Sequence, residues 1–96
     1  MLVSYPAIFT RINDEKDTYL IYFPDLPVGT EGYGLENAKM MAEDYLYCKL
    51  VDKSAEEMPK STSVSDVKIS DSEFSDAGES FIELVEVDIV ADGKYN

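Results

Sequence analysis

The chain is 96 residues long, 45% apolar, and carries seven Tyr and four Phe, enough for one hydrophobic core but not for two. Eight basic residues against 20 acidic ones leave a formal charge of −12, a field that repels the phosphate backbone of nucleic acids. That field attracts a basic protein and speeds its encounter, and it also keeps a small domain soluble; composition leaves both roles open.

Along residues 2–12 the chain alternates, with Tyr5, Ala7 and Phe9 on one side and Ser4, Pro6, Ile8 and Thr10 on the other, the period of a strand. Pro6 within it predicts an edge position or an early bulge, because proline has no N–H to give a ladder. A charged turn follows at 13–17. In a second strand Tyr19, Ile21 and Phe23 share one face, Leu20 and Tyr22 lie opposite, and Pro24 and Pro27 end the pairing. A short third strand is expected around Val28 to Glu31, hemmed by Gly29, Gly32 and Gly34.

From Leu35 to about Lys53 the residues Leu35, Ala38, Met41, Ala42, Tyr45 and Leu46 recur at helical spacing. Gly34 serves as N-cap, Glu36 complements the dipole in the first turn, and Lys49 and Lys53 complement it at the far end. Met40, Tyr47 and Val51 make a second apolar line on the opposite side. Such a line either anchors a partner or packs beneath the segment that follows.

Residues 54–80 are rich in Ser, Asp and Glu and read as a partly mobile connector, with room for a short strand at Val64–Ile69. Phe81–Val90 sets Val85, Val87 and Ile89 against Glu86 and Asp88, a last strand, and the tail from Ala91 is too short for a further domain. The chain therefore reads as one domain over 1–96, an α+β two-layer sandwich in the order β-β-β-α-β with the helix on one sheet face. A crossover helix after three meandering strands implies a last strand parallel to one of the earlier ones.

Candidate chemistry is sparse. The chain has no His, which excludes Ser-His and Cys-His nucleophile pairs and the usual zinc sites. The single Cys48 excludes an internal disulfide and has no imidazole to activate it, so packing or passive exposure is expected. No glycine-rich phosphate loop is present. Asp71, Glu73 and Asp76 have part of a calcium-loop spacing, but Asp76 stands where that loop needs Gly and no Glu closes it. A two-metal nuclease needs carboxylates converging from strands and helix, whereas the inward stripe of the first strand offers Tyr5, Ala7 and Phe9 and the helix stripe has no acid. No catalytic residue, metal or cofactor is expected. Signal-peptide patterning is lacking, and no apolar run approaches the roughly 20 residues of a membrane span. A cytoplasmic protein without membrane contact is the expectation.

The segment Tyr5-Pro6-Ala7-Ile8-Phe9, then Tyr19 to Phe23, then Pro24-Asp25-Leu26-Pro27, resembles the opening of HicB-type antitoxins. Thr30-Glu31-Gly32 resembles that family's T-x-G step, Leu35-Glu36-Asn37-Ala38 its L-E-E-A step, and Met58-Pro59-Lys60-Ser61 its I-P-x-P-S step with altered spacing. The resemblance covers about residues 4–61, and the F-P-D-L-P run is its most specific part. Val28 stands where the family has Gly, and the connector is longer than the family's. The family usually continues into a ribbon-helix-helix or helix-turn-helix DNA-binding segment, which the sequence to Asn96 does not contain, so a shortened or a stand-alone member is implied.

The resemblance implies a partial ribonuclease H-like fold that binds and blocks a small basic mRNA-cleaving toxin, HicA-like, without chemistry of its own. A stand-alone, self-associating module with no toxin partner is the alternative, and a homo-oligomer is expected in either case. Partner contact is expected at Asp25 and Leu26, in a turn stiffened by two prolines, and at Met40, Tyr47 and Val51 on the helix. The turn also reads simply as a rigid strand-ending corner. Because of the charge of −12, the purified chain should not retard duplex DNA at physiological salt; a gel shift that persists in moderate salt would reveal a basic patch that composition hides.

Overall fold

The computed structural model describes residues 1–89. Strands β1 (Leu2–Ile12), β2 (Thr18–Tyr22) and β3 (Thr30–Tyr33) are followed by helix α1 (Leu35–Leu50) and, after a long connector, by β4 (Gly78–Asp88). The strands form one sheet in the order β3-β2-β1-β4, antiparallel at every pairing. This is an α+β sandwich with the expected β-β-β-α-β succession. Val90, which the sequence assigned to the last strand, and the tail from Ala91 lie outside the described residues.

Period-two patterning explains the helix-side core. Tyr5, Ala7 and Phe9 of β1, Tyr19 and Ile21 of β2, Phe23 just beyond it, Val85 of β4 and Ile89 just after it are buried with Ala38, Ala42, Leu46 and Leu50 of α1. Small residues let the helix approach closely at its start: a Cβ on Gly32 would sit 2.6 Å from the Cα of Ala38. Phe9 stacks on Phe81 at 5.1 Å and Phe23 on Tyr45 at 5.3 Å. The buried stripe runs one turn later than the sequence suggested. Leu35 is 42% exposed, Leu50 is fully buried, and the helix ends at Leu50 rather than Lys53.

Pro6 marks neither an edge strand nor a bulge, since β1 is interior and its register with β4 is unbroken from Leu2 to Ile12. The phase of the ladder explains this. Met1 and Ile89 exchange both backbone bonds, at 3.0 and 2.7 Å, so odd-numbered residues of β1 bond to β4 and even-numbered ones face β2. Pairing with β2 reaches only from Arg11 to Ile8. At Pro6 the nitrogen therefore faces a position that β2 has already left, and the missing N–H removes no ladder bond.

The last strand points the same way as β2 but pairs with β1, antiparallel, so no parallel pairing forms, and the connector is the cause. A short loop after α1 would have started β4 at the end of the sheet where β1 begins. Instead the connector is tied to that end first: Tyr5 Oη donates to Pro59 O at 2.5 Å, and Thr62 donates to the Asp25 carboxylate. It then crosses the second sheet face, where Phe74 borders Leu20 and Glu31, and β4 starts at Gly78 opposite Ile12. The connector forms no strand at Val64–Ile69. Its 3-10 turns lie at Ala55–Glu57, Val64–Asp66 and Ile69–Asp71, with Val67 and Ser72 buried. Local bonds supply the reason: Asp66 N donates to Ser63 O at 2.9 Å, Val67 N to Val64 O at 3.2 Å and Lys68 N to Asp71 Oδ2 at 2.9 Å, closing locally the peptide groups a strand would offer a neighbour.

Phe23→Ala should cost about 3–5 kcal/mol, much of the roughly 5–15 kcal/mol available to a small domain. An unchanged denaturation midpoint would mean that Phe23 is not held between sheet and helix.

Candidate functional site

The turn after β2 is held at three points. Thr62 N and Thr62 Oγ1 donate to the two oxygens of Asp25 at 2.9 and 2.6 Å, and Leu26 N donates to Phe23 O at 3.2 Å. From the helix, Tyr45 Oη donates to Pro27 O and accepts from Gly29 N at 3.2 Å. Burial holds the Tyr45 phenol above its ordinary pKa, and burial with the nearby Asp25 carboxylate does the same for Tyr5, so both remain neutral donors. Between the two Tyr45 bonds stands Val28, 82% exposed and at φ 71°. A β-branched residue in the left-handed region is strained, and here the hydroxyl of Tyr45 holds it there from both sides.

This arrangement places the expected contact residues of the turn in a different light. Asp25 is half-buried and bonded to the connector, and Leu26 is 7% exposed and belongs to the core. The solvent-facing residues of the turn are Pro27 and Val28. The sequence placed Val28 at the start of the third strand, but β3 begins at Thr30 and Val28 belongs to the turn; its departure from a family Gly was the available signal. Nothing local marked Tyr45 or Thr62 as the groups that fix the turn, because their bonds span 16 to 37 residues.

On the outer side of α1, Met40 and Tyr47 are brought together with Met41, Glu43, Asp44 and Val87 of β4 around an open groove. Met40 is 64% exposed, whereas Tyr47 is half-buried and packs against the core. Val51, at the helix C-cap, is half-buried and does not line this groove. A second hollow continues along the same helix–strand seam, lined by Lys39, Glu43 and residues 83–86, with Lys39 bridging Glu83 at 3.2 Å. Apolar floor and acidic rim together suit a protein surface that is apolar at its contact and basic around it.

Among the described residues no group of three or more His, Cys, Asp or Glu could hold a metal ion, and no helix is long and apolar enough to cross a membrane. Cys48 is exposed on α1.

The fold is similar to a chain in a toxin–antitoxin complex from Streptococcus pneumoniae, with a TM-score of 0.77 and 28% identity. The likeness covers 93% of this chain and 71% of that one. Neither a protein-family model nor a curated protein sequence matches the chain.

The strain at Val28 leads to a stability prediction. The left-handed conformation costs an L-residue about 1–2 kcal/mol, partly offset by the freer unfolded chain that glycine brings. Val28→Gly should therefore stabilise by about 1 kcal/mol, a rise in Tm of roughly 4–8 °C for a domain of this size. A lower Tm would show that the Val28 side chain stabilises the turn by contacts its exposure does not suggest.

Proposed function

We propose that this chain is the antitoxin of a type II toxin–antitoxin pair, of HicB-like kind, and that it acts by covering a small basic mRNA-cleaving toxin of HicA-like kind. The observation that carries this reading is the likeness over 93% of the chain to a component of a toxin–antitoxin complex. Support comes from the ordered motif series between Tyr5 and Ser61, and from a formal charge of −12 that steers a basic partner. In this reading the chain works in the cytoplasm and performs no chemistry; occlusion is its whole mechanism.

The contact surface has two parts in this reading. Met40 and Tyr47 anchor the partner on the helix, with Val51 at the margin, and the turn at 24–28 presents a second, pre-ordered contact. Asp25 and Leu26 serve that turn from inside, by bonding to Thr62 and by core packing, so a pre-formed shape is offered at little entropic cost. Reversal of Asp25 to Lys would consequently disturb the fold as well as binding, which makes it a poor probe of the interface. Met40 is the cleaner one, since it is exposed.

Co-expression with a basic, growth-arresting reading frame adjacent to this gene should restore growth, and continued arrest with soluble chain present would sink the proposal. For the isolated pair, the association rate should fall steeply with added salt. Met40→Ala should mainly speed dissociation while the melting curve stays unchanged; wild-type kinetics in that variant would remove the helix groove from the interface.

A further inference from the structure

Among the described residues the longest edge of the sheet is the outer edge of β4. Both ends of the sheet, β3 and β4, lack a second neighbour among the described residues, but β3 has four residues and β4 has eleven. The ladder phase set by the Met1–Ile89 pair directs the N–H and C=O groups of Phe81, Glu83, Val85 and Val87 to β1. Those of Ser80, Ile82, Leu84 and Glu86 consequently point outward. An edge of this length is a template for another strand unless something blunts it.

Its side chains select what could pair there. Glu79, Glu83, Val85 and Val87 lie on the helix face, in register with Arg11, Ala7, Tyr5 and Val3 of β1. Leu84, Glu86 and Asp88 lie on the opposite face, with Leu84 49% exposed. A second copy of this chain would bring an equally acidic row, Glu79, Glu83, Glu86 and Asp88, alongside this one, and like charges across a strand pair oppose pairing. An incoming segment that alternates basic and apolar residues would meet acids with its charges, and Leu84, Val85 and Val87 with its apolar groups.

We propose that the outer edge of β4 receives an extended segment of a basic protein partner, added to the sheet as a fifth strand, and that its acidic row prevents copies of this chain from pairing there. This deepens the reading above and rests on it for the identity of the partner, since the same edge borders the Met41–Val87 groove. Main-chain bonds supply the affinity in such an addition, and the flanking side chains supply the selection.

The test uses the intact chain with two short synthetic peptides, one alternating lysine with valine and one alternating glutamate with valine, followed by residue-resolved amide hydrogen exchange. The lysine peptide should slow exchange at Ile82, Leu84 and Glu86 on the order of tenfold, and the glutamate peptide should not. Leu84→Pro removes an outward donor while leaving the bonds to β1 in place; it should keep the wild-type melting temperature and lose the response. Should that variant fail to fold, Glu83→Lys combined with Glu86→Lys decides the matter by inverting the peptide preference. Unprotected even-numbered amides in the presence of the lysine peptide would overturn the proposal. So would their protection at high protein concentration without peptide, which would assign the edge to a second copy. Neither readout involves a toxin, so a failure here is distinguishable from a failure of growth rescue.

Discussion

Tyr5 to Thr10 of β1 are buried without a break, and a strand buried on both faces needs two covers. Alternation sends Tyr5, Ala7 and Phe9 to one face and Pro6, Ile8 and Thr10 to the other. Helix α1 supplies the first cover through Ala38, Ala42, Leu46 and Leu50. With α1 used there, the connector covers the second face, which is why a segment so rich in Ser and Asp buries Val67 and Ser72.

The remaining architecture follows from that division of labour. A connector that travels the length of the sheet delivers the chain to the far end, so β4 returns antiparallel to β1 rather than parallel to it. Its 3-10 turns close their own peptide groups and add no strand outside β4, so among the described residues the long edge has no further strand beside it. The tie from Thr62 to Asp25 that starts this crossing is also one of the bonds that holds the turn after β2. Fold and candidate surface are thus coupled: the residues that anchor the connector are those that shape the turn, and Tyr45 joins that turn to the helix carrying Met40 and Tyr47.

The candidate surface was legible in part. Met40 and Tyr47 stand out because apolar residues on the outer side of a helix break its amphipathic pattern, and the structure gathers them at one groove with Met41 and Val87. Val51 belongs to the same line in sequence but sits at the C-cap, past the last turn, and does not line that groove. Asp25 and Leu26 were visible as a stiff turn, yet which side chains of a turn face inward depends on what lies beneath it. Here Thr62 and the core claim both, and Val28 is left outside.

What the sequence determined by itself was local. The period-two runs and the 3.6-residue stripe specified the strands, the helix and most of the helix-side core, because burial of one face is written directly into residue spacing. Absence of His and an excess of acid restricted the chemistry in the same direct way. The tertiary structure alone decided the direction of β4, the tolerance of Pro6 inside an interior strand, and the role of the connector as a second layer. Each of these depends on where distant peptide groups meet, as at Met1 with Ile89 or Thr62 with Asp25. Hydrogen bonds between residues so far apart leave no periodic trace in the chain that makes them.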